Sequence, residues 1–198
     1  MEKKFELTDK FVFNTFGIKL FQIKCTKSFK YAKEGDLGGY VEKDENLDQE
    51  SDAWVYGNAQ VSGNAQVSGD AWVSGDARVS GDARVSGDAQ VYGNAQVYGD
   101  AQVSGNAWVS GDARVSGNAD IENDNNHCGF DCFGSCNRHT HAYLTKDNKV
   151  EITCGCFRGS IEEFEKKVEK THSGTIYEKQ YKAIINVIKI KFGLTDLI

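Results

Sequence analysis

Proline is absent from the 198 residues, methionine occurs once, and no apolar run approaches the roughly 18 residues that a membrane-spanning helix needs. The beginning of the sequence carries no secretory signal pattern, so secretion and membrane spanning are both disfavoured and a cytoplasmic location is expected. Without export, the six cysteines are expected to be reduced thiols, five of them between Cys128 and Cys156, with Cys25 standing apart. Histidine is missing from residues 51–122, and positive charge is scarce there. Arg78, Arg84 and Arg114 face nine carboxylates, a net of −6, whereas residues 1–50 carry nine basic groups against ten acidic and residues 123–198 eleven against ten. No basic stripe is available to meet phosphates along the middle of the chain, so nucleic acid is not an expected partner.

Residues 51–122 hold one hexapeptide written twelve times, Gly-Asp/Asn-Ala-x-Val-Ser/Tyr. Ala recurs at 53, 59, 65 and every sixth position to 119, and Val recurs from 55 to 115, with Ile121 closing the series. Ala and Val lie two apart and share one side of a short strand, while the residue between them points out. Gly with Asp or Asn makes the corner, since these residues tolerate positive φ. A period this strict is a β-solenoid. Trp54, Trp72 and Trp108 occupy the outward slot at separations of 18 and 36 residues, and Tyr56 and Tyr92 are also 36 apart. Three hexads per turn stack each set on one face, giving a three-sided prism of four coils, about 19 Å tall at roughly 4.8 Å per coil.

The ends of such a prism must be closed, and the flanking segments read as caps. Residues 1–50 form an N-terminal β cap and opening coil, with an apolar run from Phe11 to Cys25 interrupted at Gly17, then a turn at Gly35–Gly39 into Val41 and Leu47. Residues 123–198 form a C-terminal hairpin plus two-helix capping and oligomerisation unit, a ββαα order. Its hairpin flanks Lys146–Lys149, its first helix starts at Ser160 with a capping box to Glu163 and buries Ile161, Phe164 and Val168, and Gly174 stops it. The second helix, about Ile176 to Phe192, carries Val187 and Ile190 beyond the stripe a surface helix needs, which points to packing across subunits or onto the prism.

Units such as Val79-Ser-Gly-Asp-Ala83-Arg resemble the left-handed β-helix of hexapeptide-repeat proteins. The string Gly134-Ser-Cys-Asn, then Tyr143-Leu-Thr-Lys-Asp, Cys154-Gly-Cys-Phe-Arg-Gly-Ser-Ile-Glu-Glu-Phe164 and Thr171-His172, is similar to the tail of small hexapeptide-repeat proteins from phages and prophages of low-GC bacteria, often labelled polymer-forming cytoskeletal proteins. The resemblance implies a mainly β fold, a left-handed parallel β-helix of about four to five coils between the two caps, a homotrimeric habit and, for a phage-encoded chain, the host cytoplasm. It implies no established activity.

Four chemistries compete for the site. Acyl transfer on this fold requires, by the resemblance, a rim histidine and a loop insertion, and the repeat has neither, so no catalytic residue is expected. Cys128, Cys132, Cys136, His139, His141, Cys154 and Cys156 supply raw material for zinc, but the Cys-x3-Cys and Cys-Gly-Cys spacings are not the usual knuckle; reduced thiols in a buried junction are expected instead, with no metal and no cofactor. An anion could be held where Arg158, Gly159 and Ser160 open the first helix, with Ser135, Asn137 and Arg138 opposite, although Glu162 and Glu163 already complement that helix end. The outward Trp54, Trp72 and Trp108 with Tyr56 and Tyr92 need cover and read as an oligomer interface. The expectation is a non-catalytic trimeric binding protein, acting in antagonism of a host defence by sequestering a small nucleotide-like anion between subunits or by masking a host protein, with a structural polymer as the alternative.

Overall fold

The computed structural model describes residues 3–194; residues 1–2 and 195–198, the outermost positions of the two expected caps, lie outside the described residues. Among the described residues, twelve two-residue strands, β4 (Trp54–Val55) through β15 (Asp120–Ile121), recur every six positions. Each of the first nine pairs in parallel with the strand eighteen residues on: Trp54 stands beside Trp72, Trp72 beside Gln90, and Gln90 beside Trp108. Three faces result, and the repeated Ala and Val side chains all point between them into a buried core. Each fully buried Val contributes about 1.5–3 kcal/mol relative to exposure. The chain is therefore mainly β, a parallel solenoid of four regular coils preceded by an opening coil, in which β3 (Leu37–Val41) pairs with Gln60–Val61 and Leu47 bridges Val67.

The corners need glycine for two reasons at once. Gly69 has φ +68°, and a Cβ there would fall 2.8 Å from the backbone nitrogen of Gly87 in the next coil. The neighbouring corner positions carry hydrogen bonds between coils: the Asn58 and Asn94 amides donate to Asp76 and Asp112 at 3.1 and 3.0 Å. Asn58, Asp76, Asn94 and Asp112 form one column in which like charges stand two coils apart, and the amides bind the carboxylates beside them.

At the N-terminal end, β1 (Phe5–Phe13) and β2 (Lys19–Cys25) form an antiparallel hairpin, and β2 pairs in turn with β3. The segment after β2 folds over the Trp column. Trp54 is fully buried against Phe5 and Phe29, with ring centroids at 6.3 and 5.3 Å. Trp72 stacks on Tyr56 at 4.9 Å and meets Tyr31 edge-on at 5.2 Å, while the Tyr56 hydroxyl donates to the Tyr31 carbonyl. This corrects the assignment of Trp54 and Trp72 to an oligomer interface: the chain's own first fifty residues supply their cover. Trp108, beyond the reach of that segment, is 51% exposed, and Tyr92 is half-buried.

The C-terminal unit has two more strands than the ββαα expectation. β16 (His127–Phe133), β17 (Arg138–Leu144), β18 (Val150–Cys154) and β19 (Phe157–Ser160) make one antiparallel sheet, followed by α1 (Ile161–His172) and α2 (Ile176–Lys191). One side of the sheet packs Ala142, Ile152 and Cys154 under the helices. The other rests on the last coil, where Thr153 Oγ1 donates to the Arg114 carbonyl at 2.9 Å and buried Tyr143 joins the Ala/Val cluster, plugging the end of the prism. Among the described residues no helix is long and apolar enough to cross a membrane.

The two ends of the Trp column should respond differently to truncation. Trp54→Ala is expected to lower unfolding free energy by about 3–5 kcal/mol, the range for a buried aromatic, and Trp108→Ala by no more than about 0.5 kcal/mol, as measured by urea denaturation.

Candidate anion-binding site

The sheet and helices of the C-terminal unit enclose a pocket of about 420 Å³. Its geometry follows from how α1 is launched. The Ser160 hydroxyl accepts the Glu163 N–H at 3.3 Å, and Glu163 Oε2 accepts the Ser160 N–H at 2.8 Å, the reciprocal cap read from the sequence. With the start fixed, Phe164, Lys167, Val168 and Thr171 fall on one helical face and line the pocket. Phe157 and Arg158 come from β19, Arg138 from the start of β17, and Tyr181 from α2.

An aromatic wall runs through the pocket: Phe157 to Phe164 at 5.0 Å, Phe164 to Tyr181 at 5.6 Å, and Tyr181 to His172 at 5.5 Å. Burial, with the Cys154 thiol 3.8 Å away as the next cause, pushes the Tyr181 phenol up to about 12, so it remains a hydroxyl at neutral pH. The charge is one-sided. Arg138, Arg158 and Lys167 line the pocket, and among the described residues no carboxylate does. Arg158 is engaged by Glu151 through contacts of 2.7 and 3.1 Å, and this pairing raises its pKa further. Arg138 and Lys167 have no ion-pair partner among the described residues. Cations beside aromatic faces, with a hydroxyl within reach, suit an anion that also carries a ring.

The residues chosen from sequence divide into three groups. Arg158 and Arg138 both line the pocket, and Asn137 lines a cleft next to it. Gly159 and Ser160 do not form an anion cradle, because the helix start is occupied by the chain's own carboxylates. The Ser160 hydroxyl donates to Glu162 at 2.7 Å, which holds that carboxyl below the usual range, and a Cβ on Gly159 would meet Glu163 Oε2 at 2.4 Å. Ser135 is exposed, lies outside the pocket and contacts only Cys136 Sγ, at 3.8 Å. Arg158 is also less free than expected. Glu151, which it holds, accepts the Tyr143 hydroxyl at 2.6 Å, so the arginine supports the plug of the prism as well as the pocket wall. Sequence reasoning missed Lys167, Thr171 and Tyr181, although the i, i+3, i+4, i+7 series Phe164, Lys167, Val168, Thr171 was there to be read.

The thiols and imidazoles do not assemble a metal centre: among the described residues no group of three or more His, Cys, Asp or Glu converges on one point. Cys132, Cys136 and Cys156 are exposed, whereas Cys154 is buried and accepts the Thr140 hydroxyl. The histidines instead line the junction between sheet and prism. His127 Nδ1 lies 3.0 Å from His141 Nε2, His127 Nε2 is 3.4 Å from Asp124, and His139 Nδ1 is 2.5 Å from Asp131. His141 is 2% exposed, and its Nδ1 has no hydrogen-bond partner of good geometry among the described residues. Burial lowers the pKa of His141 well below 6.5, helped by His127 and His139, and burial also lowers that of His127. As pH falls below 6.5 the unfolded chain takes up protons that the folded chain refuses, so stability is full above 6.5 and declines below it. Urea unfolding at pH 8 and pH 5 is expected to show this loss, and His141→Gln is expected to flatten it.

The profile of the YdcK β-solenoid repeat matches residues 59–75, 77–93, 89–105, 95–111 and 101–117. Each window is one coil less one residue, and the windows start whole hexads apart, so the match follows the period seen in the strands. No curated protein matches the chain. Within residues 59–117 the chain is thus similar to proteins carrying the YdcK repeat, and the likeness lies inside the prism without reaching its first and last strands or the pocket-bearing unit.

Proposed function

We propose that this chain is a non-catalytic binding protein that captures a small, nucleotide-like anion in the pocket of its C-terminal unit. The observation that carries this reading is the pair of cations, Arg138 and Lys167, uncommitted among the described residues, beside an aromatic wall and with no carboxylate in the described lining. A phosphate between those two groups makes charge-assisted hydrogen bonds, while a ring stacks on Phe157 or His172. The repeat carries a net charge of −6, which disfavours an anion along the prism. Sequestration of such a ligand is the mode by which the protein would antagonise a host defence.

The same reading includes assembly as a homotrimer. Cover for Trp54 and Trp72 is internal, so the argument for assembly moves to α2. Ile176, Ala183, Val187 and Ile190 fall on its outward side at heptad spacing, and Val187 and Ile190 are 48% and 60% exposed. The seam opposes the buried face formed by Tyr181, Ile184, Ile185 and Ile188. End-to-end polymer growth is disfavoured, since β2 and β3 occupy one end of the prism and Tyr143 the other.

Calorimetric titration with AMP and GMP tests the ligand. Heat of binding that weakens with added salt is expected, and Arg138→Ala and Lys167→Ala should each reduce affinity at least about tenfold, the loss for one charge-assisted hydrogen bond. Absence of heat with mono- and dinucleotides alike would overturn the reading in favour of a protein-masking role. Light scattering tests assembly: a trimer is expected for the unmutated chain and a monomer for Ile190→Glu, and a monodisperse monomer without the mutation would refute it.

A further inference from the structure

We infer that the ligand is bipartite, a dinucleotide whose second nucleoside lies in the cleft between the C-terminal unit and the prism; this rests on the reading of the pocket given above. The cleft measures about 300 Å³ and is lined by Asn94, Gln96 and Asp112 of the prism and by Asn137, Arg138 and Thr153 of the sheet. Arg138 belongs to both cavities. Its guanidinium lies across the turn at Gly155, where φ is +59° and a Cβ would fall 2.5 Å from Nη1. Cys154 and Cys156 face the pocket, and Gly155 between them faces the cleft. One arginine is therefore the partition between two adjoining cavities, and it has no ion-pair partner of its own among the described residues.

The cleft differs from the pocket in chemistry. It has no aromatic wall, and Asp112 stands in its lining, bound by the Asn94 amide at 3.0 Å, so a second bare phosphate would meet a carboxylate there. The Arg114 guanidinium is already donating to the Gly155 carbonyl at 2.9 Å, and the Thr153 hydroxyl to the Arg114 carbonyl. What remains uncommitted among the described residues, besides Arg138, is a pair of carboxamides, Gln96 and Asn137, and the buried Nε2 of His139. A carboxamide offers one acceptor beside two donors, the pattern that matches the edge of a nucleobase or the hydroxyls of a ribose. Each cavity is of the size that holds one small-molecule moiety. The arrangement fits one ring against the aromatic wall, a linking phosphate at Arg138, and a second base or sugar on Gln96 and Asn137.

The test compares AMP and GMP with the 3′–5′ linked dinucleotides ApA and GpG by calorimetry on the full chain. At least one dinucleotide is expected to bind about tenfold or more tightly than its mononucleotide. Asn137→Gly, which suits the left-handed φ of +47° at that position, and Gln96→Ala are each expected to remove that advantage and to leave mononucleotide affinity unchanged. Melting curves confirm that both variants fold. Mononucleotides binding as tightly as dinucleotides would overturn the bipartite ligand while leaving the pocket reading standing, as would a dinucleotide advantage that survives both substitutions. No binding by any of the four probes would overturn both.

Discussion

Each coil of the prism hands its backbone N–H groups to the carbonyls of the coil eighteen residues on, as Trp54 does to Ala71 and Gln60 to Ala77, at 3.0 and 2.9 Å. That ladder is the constraint on which the other parts depend. Inside it takes Ala and Val, with Ile121 in the last hexad, since the strands of three faces meet over a narrow cross-section, and it requires glycine where successive corners stack. It also has two ends, each exposing a row of unpaired groups and a section of apolar core. The flanking segments are answers to those ends. The hairpin of β1 and β2 continues one face of the prism through β3, and the C-terminal sheet lays Tyr143 over the opposite opening.

Closing an end places a second layered unit against the solenoid, and the cavities arise from that unit. Its sheet faces the prism on one side and the helices on the other, so a pocket is lined by the sheet together with α1 and α2, and a cleft by the sheet together with the prism. The histidines of the junction are buried by the same docking, which is why their protonation is coupled to stability more than to any ligand.

Much of this was legible in the sequence because it depends on spacing. Trp54 and Trp72, eighteen apart, gave the number of hexads per coil, and they stand side by side in the parallel ladder. Ser160 and Glu163 marked the start of α1, and Ile161, Phe164 and Val168 its buried face. What escaped depends on which distant segments meet. His127–Phe133 alternates Cys128 and Phe130 with His127, Gly129 and Asp131, a strand pattern hidden by residues that invited a metal reading. Arg158 was legible as a basic group at a helix start but not as the partner of Glu151, seven residues back across the β18–β19 hairpin. Cover of Trp54 by Phe5 and Phe29 is another contact of this kind, since neither has any periodic relation to the repeat.

The plug at Tyr143 rests on a cross-section that every coil shares, Ala and Val on each side, and this makes coil number a neutral variable in evolution. Loss of residues 81–98, one full coil, would leave the last coil and its contact with Tyr143 intact. The pocket around Arg138 and Lys167, whose described lining comes entirely from the C-terminal unit, would be carried along unaltered. The cleft would not, because Asp76 and Arg78 would then occupy the positions of Asn94 and Gln96 beside Asp112 and Arg114. Slippage of the repeat during replication could thus exchange one half of the proposed recognition surface in a single event while the fold and the other half persist.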